Sequence, residues 1–500
     1  MYLGVDCGTQ GTKVIILDAD SAAIVAQGYA PHSMDSDAQG KREQHPASWI
    51  EAFHRSFKMA IDESGVDSRA IKAMSVSGQQ HGLVVLDKHQ QVIRPAKLWC
   101  DTATAPQNEE LLHYLGGEKG SLDKLGLVLA TGYTASKLLW LKQHEPDNFD
   151  KIAHVLLPHD YLNFYLTQEI VTEFGDASGT GYFNSQSREW VEDVLHYIDG
   201  GKQHLLRALP PVIQADESVA KISPEVAASL NINPDVIVAS GGGDNMMAAI
   251  GTGNIAEGIV TMSLGTSGAV YAYSAKPPVN LQPEIASFCS SSNGWLPLIC
   301  TMNLTAAVNK VRDMFGFDLQ QFNSAVMGSE IGAQGITMLP FLSGERVPAL
   351  PQAQGQLSGL TMQNVNAANV CRAVMEGTTF GLRYGLDLLR QADIQSAQIR
   401  LIGGGANSEI WRQMVADITN TSVVCPANKE AGALGAAIQA MWCEQKFRGN
   451  PQSLATLCER YVDIDSAMSV APDMASHEAY EAAYRQYRVQ VENLQQLSSH

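Results

Sequence analysis

Two short glycine-rich segments, far apart in the chain, share one layout. Asp6-Cys7-Gly8-Thr9-Gln10-Gly11 follows the apolar run Tyr2 to Val5 and leads into Lys13 to Leu17. Ser263-Leu264-Gly265-Thr266-Ser267-Gly268 follows Ile259 to Met262 and leads into Ala269 to Tyr273. Glycine lets the backbone come close to an anion, and nearby hydroxyls add donors. Gly8, Thr9, Gln10, Gly265 and Thr266 are therefore candidates to hold phosphate, and Lys13, two residues past the first turn, can reach a phosphate oxygen. Asp6 offers an oxygen ligand to Mg²⁺, which typically takes one or two carboxylates plus substrate phosphates. The second copy has Ser263 at that place, so the halves are chemically unequal. Asp244 directly follows Gly241-Gly242-Gly243 and is a candidate general base. Each feature also has an ordinary reading: a hairpin turn, an Asp bonded to its own turn, an N-cap. Taken together they hold phosphates, hold a cation and deprotonate an alcohol, which is what phosphoryl transfer asks of a protein.

The elements that position these residues read as strand, glycine turn, strand in both copies. A second pair repeats as well. Val236 to Ser240 runs into Gly241-Gly242-Gly243, and Ile399 to Ile402 runs into Gly403-Gly404-Gly405-Ala406-Asn407; each triplet precedes a helical stretch. Aligning the triplets places Ala406 opposite Asp244 and suggests two related halves meeting near residue 250. The expected divisions are 1–250, 251–445 and a tail 446–500. The tail reads as polar and irregular, then as a packing helix with Tyr480, Tyr484 and Tyr487 on one face. Pro46 can start a helix whose Trp49, Phe53, Phe57 and Ile61 form one stripe. A longer helix spans Ala367 to Asp393, where Gly377, Gly381 and Gly385 allow close packing. The polar knot Ser77-Gly78-Gln79-Gln80-His81-Gly82 lies between two apolar runs. Its buried Gln and His need partners that a polyhydroxylated acceptor would supply, although a satisfied core histidine is the simpler alternative.

Composition narrows the field. The 500 residues exceed one compact core, so two large domains with a cleft between them are expected, with three allowed by length. A formal charge of −18 leaves no basic footprint for nucleic acid. Eight cysteines without a CxxC pair indicate neither zinc nor a disulfide framework and suit the cytoplasm. No signal-like start or membrane-length apolar run is expected to place the chain at a membrane. There is no GxxxxGK[ST], HExxH or GxSxG. Gly251-Thr252-Gly253-Asn254-Ile255-Ala256 matches a loose dinucleotide pattern but follows a helical stretch and lacks the acidic residue about twenty positions on.

From Met1 to about residue 445 the chain resembles the FGGY carbohydrate kinases. Beyond the loops above, the likeness rests on Gly132-Tyr133-Thr134-Ala135-Ser136-Lys137-Leu138-Leu139-Trp140, Leu157-Pro158-His159-Asp160-Tyr161, Asp176-Ala177-Ser178-Gly179-Thr180 and Leu339 to Arg346. The resemblance implies an α/β fold of two ribonuclease-H-like (actin/hexokinase/Hsp70 ATPase) domains closing on a cleft. It further implies ATP and Mg²⁺ as cofactors and a ketopentose acceptor, D-xylulose first. By motif, Asp244 would take the proton of the primary hydroxyl, and Asp6 would lie by metal and phosphates. Thr9 and Thr266 would face the phosphates, while Gly403, Gly404, Ala406 and Asn407 would hold adenosine. Gln80, His81, Trp99 and Asp101 would lie at the sugar. Gln80 stands where the family usually has Met, and Trp99-Cys100-Asp101-Thr102-Ala103 departs from Trp-Asn-Asp-x-Arg. D-ribulose, L-xylulose, another ketose or a polyol therefore stay open as acceptors, and so does a homodimer. An ATP-driven switch protein on the same fold, or a sensing regulator without catalysis, is the reading from another class.

Overall fold

The structure, a computed structural model, describes residues 1–498. Its N-terminal sheet is built from β1 (Tyr2–Cys7), β2 (Gly11–Asp18), β3 (Ala23–Pro31), β4 (Ala73–Gly78), β5 (Ser218–Lys221), β6 (Ile237–Ala239) and β7 (Gly242–Gly243). The order is β3-β2-β1-β4-β6-β5, and β7 also pairs with β4. The second sheet holds β8 (Gly258–Leu264), β9 (Gly268–Ala272), β10 (Ala286–Cys289), β11 (Trp295–Thr301), β12 (Ser396–Ile402), β13 (Ser422–Pro426) and β14 (Ile464–Val470), in the order β10-β11-β9-β8-β12-β13-β14. In each sheet an antiparallel hairpin is followed by two parallel strands, β1-β4-β6 in one and β8-β12-β13 in the other.

The apolar strands are nearly continuous because both faces are covered. Leu3, Val5, Val14 and Ile16 face Trp49, Phe53 and Phe57 of α1 (Pro46–Ser64). Tyr2, Ile15 and Leu17 point the other way, onto α7 (Ala431–Phe447). Proline opens α1 and Gly65, at φ 68°, closes it in the left-handed region that glycine tolerates. The remaining helices that matter here are α2 (Thr134–His144), α3 (Pro158–Thr167), α4 (Asp244–Gly251), α5 (Ala367–Gln391) and α6 (Glu409–Thr419). In α5, Gly377 lies where a Cβ would come within 2.2 Å of Met338 O, so the expected close approach is real at that position.

The tail differs from its expected irregular form. It makes α8 (Leu454–Tyr461), then β14, which pairs with β13 and extends the second sheet, then α9 (Met474–Ser498) with Tyr480, Tyr484 and Tyr487 buried. The alignment of the two glycine triplets also needs correction. Gly241–Gly243 ends the β6 limb, two places from the hairpin strand β1, whereas Gly403–Gly405 follows β12, directly beside the hairpin strand β8. By topology β4 matches β12 and β6 matches β13, so α4 matches α7. Asp244 thus answers to the start of α7, which Glu430 caps, and Ala406 is not its match.

α4 and α7 join the halves by crossing at backbone contact. A Cβ on Gly251 would lie 1.9 Å from Ala431 O, and one on Gly435 would lie 1.8 Å from Met247 O. Gly251 of the loose dinucleotide pattern thus has a packing role. Among the described residues no helix is long and apolar enough to cross a membrane.

Candidate active site

The site forms where β1, β4 and β7 end side by side. Asp6 of β1 is in register with Ser77 of β4, and Ser77 with Gly242 of β7, so Asp6 and the residues after β7 lie about two strand spacings of ~4.8 Å apart. Asp244 is the first residue of α4, with Gly243 as the cap, so its carboxylate does not cap the helix. Its Oδ1 accepts from Asn245 N at 2.8 Å and Asn245 Nδ2 at 3.0 Å, and Asn245 Nδ2 also donates to Gln80 Oε1 at 2.9 Å. No protein hydrogen bond reaches Asp244 Oδ2 among the described residues. Burial, then the charge of Asp6, pushes the Asp244 carboxyl up to about 7.

Asp6 accepts from Ser77 Oγ at 2.8 Å. Its Oδ2 lies against the first turn of α7, where a Cβ on Gly432 would come within 2.8 Å. Burial first, with the charge of Glu430, raises the Asp6 carboxyl, while Ser77 and Lys13 oppose the shift. Lys13 sits opposite Asp6 in the β1–β2 hairpin and pairs with Glu430 at 2.5 Å, so the ammonium already has a partner. The turn before Asp244 is held from the other half: fully buried Gln439 of α7 accepts from Gly241 N at 3.0 Å and Ser75 Oγ at 2.6 Å, and donates to Gly241 O at 3.1 Å.

The polar knot stands beside this pair. Two neighbouring buried amide atoms, Gln79 Oε1 and Gln80 Nε2, have no partner, while the His81 ring meets the Gly179 backbone. Buried polar groups are normally hydrogen-bonded, and two free amide atoms together suit a ligand rich in hydroxyls. The His81 ring lies 4.7 Å from Tyr133 and 5.6 Å from Phe288, and burial, with the charge of Lys137, lowers its pKa to about 3, so it is neutral. Trp99, 42% exposed, donates from Nε1 to Thr9 Oγ1 at 2.9 Å. Asp101 is turned inward: fully buried, it accepts from Lys97 Nζ at 3.1 Å, Arg42 N at 2.9 Å and Ala103 N at 3.1 Å. Its carboxylate is thus occupied in fixing the loop that carries Trp99. The turn at Gly8 is closed by Gly8 N donating to Gly11 O at 3.0 Å, and Gln10 O accepts from Tyr29 OH at 3.3 Å.

Across the cleft, Ser263 is in register with Ile402, which brings the turns at Gly265 and Gly403 together. Thr266 is exposed, and Thr305 holds Gly265 O through Oγ1 at 2.8 Å. Gly403 has φ 89° and no room for a side chain against Leu264, whereas Gly404 faces open space. Asn407 is exposed, donating to Gly404 O at 3.1 Å and accepting from Lys429 Nζ at 3.3 Å. Ala406 contributes backbone only, since its side chain belongs to the core.

The donor set suits a hard divalent cation. Asp6 and Asp244 each keep an oxygen free of protein donors, and the charge of Asp6 raises the Asp244 pKa, a repulsion that a cation would relieve. Among the described residues no cluster of three or more His, Cys, Asp or Glu could hold a metal. The reading from sequence missed Gln44, Asn245, Glu430 and Gln439. Gln44 links the site's loops by donating to Thr9 O at 2.8 Å and accepting from Gln79 Nε2 at 2.9 Å, yet no local pattern marks a lone Gln. It also left unused the buried cluster around His159, whose Nδ1 lies 2.5 Å from Asp176 Oδ2. The charge of Asp176 contributes to raising Asp244.

Both halves of the chain match one family. Residues 1–251 match the N-terminal domain, and residues 246–444 the C-terminal domain, of the FGGY family of carbohydrate kinases. A xylulose kinase of Haemophilus influenzae is 48% identical over 99% of this chain and 100% of its own length. Among solved structures, a xyloylose kinase from Brucella ovis superposes with a TM-score of 0.91 at 28% identity, covering 99% of each chain. A xylulose kinase from Bifidobacterium adolescentis gives 0.84 at 33%, covering 96% of this chain and 99% of its own.

Proposed function

Since the chain belongs to the FGGY family of carbohydrate kinases, we propose that it phosphorylates D-xylulose with ATP, giving D-xylulose 5-phosphate and ADP. The observation that carries the mechanism is Asp244: a carboxylate with one oxygen tied to Asn245, the other free, beside Gln80, which shares Asn245 with it and keeps an unpaired amide nitrogen. Asp244 Oδ2 accepts the proton of the C5 hydroxyl as that oxygen bonds to the γ-phosphorus. The bond from the γ-phosphorus to the bridging oxygen breaks, and ADP keeps the electron pair. Gln79, Gln80 and His81 orient the sugar through its remaining hydroxyls, and Trp99 walls it on the Thr9 side. The turns at Gly8 and Gly265, with Thr9 and Thr266, hold phosphate oxygens, and Gly403, Gly404 and Asn407 line the nucleoside. Asp6 would hold Mg²⁺, which when bound would draw negative charge from the phosphate oxygens. Closure of the halves about α4 and α7 excludes water that would otherwise accept the phosphoryl group.

The test is Asp244→Asn in an ADP-release assay with D-xylulose and a panel of other ketoses and polyols. Turnover should fall by at least ~10²-fold while nucleotide binding persists. Near wild-type turnover would remove Asp244 from the mechanism. A preference for another sugar would keep the chemistry and change the acceptor.

A further inference from the structure

The stretch Gly132 to Trp140 has no part in the mechanism above, yet it contains the cation most completely enclosed beside the sugar loop. Lys137, in α2, is fully buried and forms no ion pair among the described residues. The nearest carboxylate that acts on it, Asp101, is already bonded to Lys97 at 3.1 Å. A buried unpaired ammonium is costly, and a residue serving only to fill space would be apolar. What it gains is two carbonyls: Lys137 Nζ donates to His81 O at 2.5 Å and to Gly132 O.

We propose that Lys137 is a positioning residue of the sugar site, an internal clamp that fixes the backbone of His81 and Gly132 and thereby aims the His81 ring and seats Trp99. The proposal rests on the assignment of the Gln80–His81 loop to the sugar. His81 has φ 65°, a backbone conformation that costs a non-glycine residue energy and persists only when its surroundings impose it. The surroundings here are two donors on one carbonyl, Lys137 Nζ and Thr134 Oγ1, the latter at 3.2 Å. With the carbonyl drawn toward α2, the ring lies between Tyr133 and Phe288 and against the Gly179 backbone. The second carbonyl extends the clamp. Gly132 has φ 102° and lies so close to the Trp99 backbone that a Cβ would come within 2.2 Å of Trp99 O. Burial lowers the Lys137 pKa to about 7, but the neutral amine still has two hydrogens for two carbonyls, so the clamp holds in either form. One turn along α2, Trp140 covers the Lys97 ammonium, 3.9 Å from its ring, and Lys97 in turn holds Asp101. Trp140 thus supports the same Trp99 loop that Lys137 reaches through Gly132.

Lys137→Met keeps length and volume and removes both donors. In steady-state kinetics on the full chain, KM for D-xylulose should rise about tenfold or more while KM for ATP stays within about twofold, because the clamp touches only the sugar loops. A loss shared equally by both substrates, or no change in sugar KM, overturns the proposal. His81→Asn, which tolerates the left-handed backbone but lacks the ring, separates the two levels of inference. If His81→Asn leaves sugar KM unchanged, the sugar-loop assignment fails; if it raises sugar KM and Lys137→Met does not, the clamp alone fails. Should Lys137→Met not fold, Thr134→Val removes the weaker donor on the same carbonyl. It should raise sugar KM about twofold with ATP KM constant, and an unchanged sugar KM would overturn the clamp.

Discussion

Replacing Gly435 by alanine adds one methyl at the crossing of α4 and α7, and the structure sets the size of the disturbance. The new Cβ would stand 1.8 Å from Met247 O, about 1.5 Å short of ordinary contact, and its nearest atoms are backbone, which cannot rotate away. The helices must therefore separate or slide by that distance. α4 begins at Asp244, while α7 carries Gly432 against Asp6 and Gln439 against the Gly241 turn, so the displacement is delivered to both carboxylates. Overpacking of this kind costs about 1–3 kcal/mol of stability, and a misplacement of about 1 Å in reacting groups can cost ~10²-fold in rate. Gly435→Ala should accordingly lower kcat by one to two orders of magnitude (~10- to 100-fold) in protein that is still folded. The assay is ADP release at a temperature well below the melting midpoint. Gly328→Ala is the control: φ is −75° and the added methyl meets nothing closer than 3.4 Å. If Gly435→Ala melts and turns over like Gly328→Ala, the crossing does not position the site.

The remaining predictions concern charge. Asp244 works as a base only when ionised, so kcat/KM for the sugar should rise as pH increases through about 7 and level off above it. Asp6→Asn removes the second-largest cause of that elevation, so the inflection should move to lower pH; an inflection that stays in place would contradict the coupling. Glu430→Gln frees Lys13 from a half-exposed pair whose loss should change stability by no more than ~1 kcal/mol. If Lys13 serves phosphate oxygens, KM for ATP should fall in that variant, and a constant or higher KM would assign Lys13 to the pair with Glu430 alone.

How far the sequence could be read depended on whether a residue pattern had one physical cause or several. α1 was legible because proline, a stripe at every fourth residue and a closing glycine all state the same thing. α5 was legible for a similar reason, and its first glycine does meet a neighbouring backbone. The two glycine hairpins were legible because strand, turn and strand repeat with a shared hydroxyl. The triplets misled because identical composition arises there from different constraints. Gly241 needs φ 75°, Gly242 lacks room beside Ser291, and Gly243 lacks room beside Gln80; Gly403 is pressed on Leu264, whereas Gly404 is free. Glu430 and Gln439 were silent because each acts through partners distant in sequence, and single polar residues leave no periodic trace.

The corrected topology explains why one fold can grip two dissimilar ligands. The register places Ser77 beside Asp6 and Ile402 beside Ser263, so Gly78-Gln79-Gln80 and Gly403-Gly404-Gly405 leave equivalent strands at equivalent points. On the N-terminal side the positions after the first glycine carry amides, and their unpaired atoms can count hydroxyls. On the C-terminal side the same positions are bare, and Gly404 meets nothing within 4 Å, which leaves room for a flat base to lie on backbone. The helices that follow are divided in the same way: α4 starts with Asp244, which keeps one oxygen without a protein donor, whereas α7 is preceded by Glu430, already committed to Lys13. Under the proposed mechanism, this asymmetry of two turns and two carboxylates gives the cleft a donor side and an acceptor side.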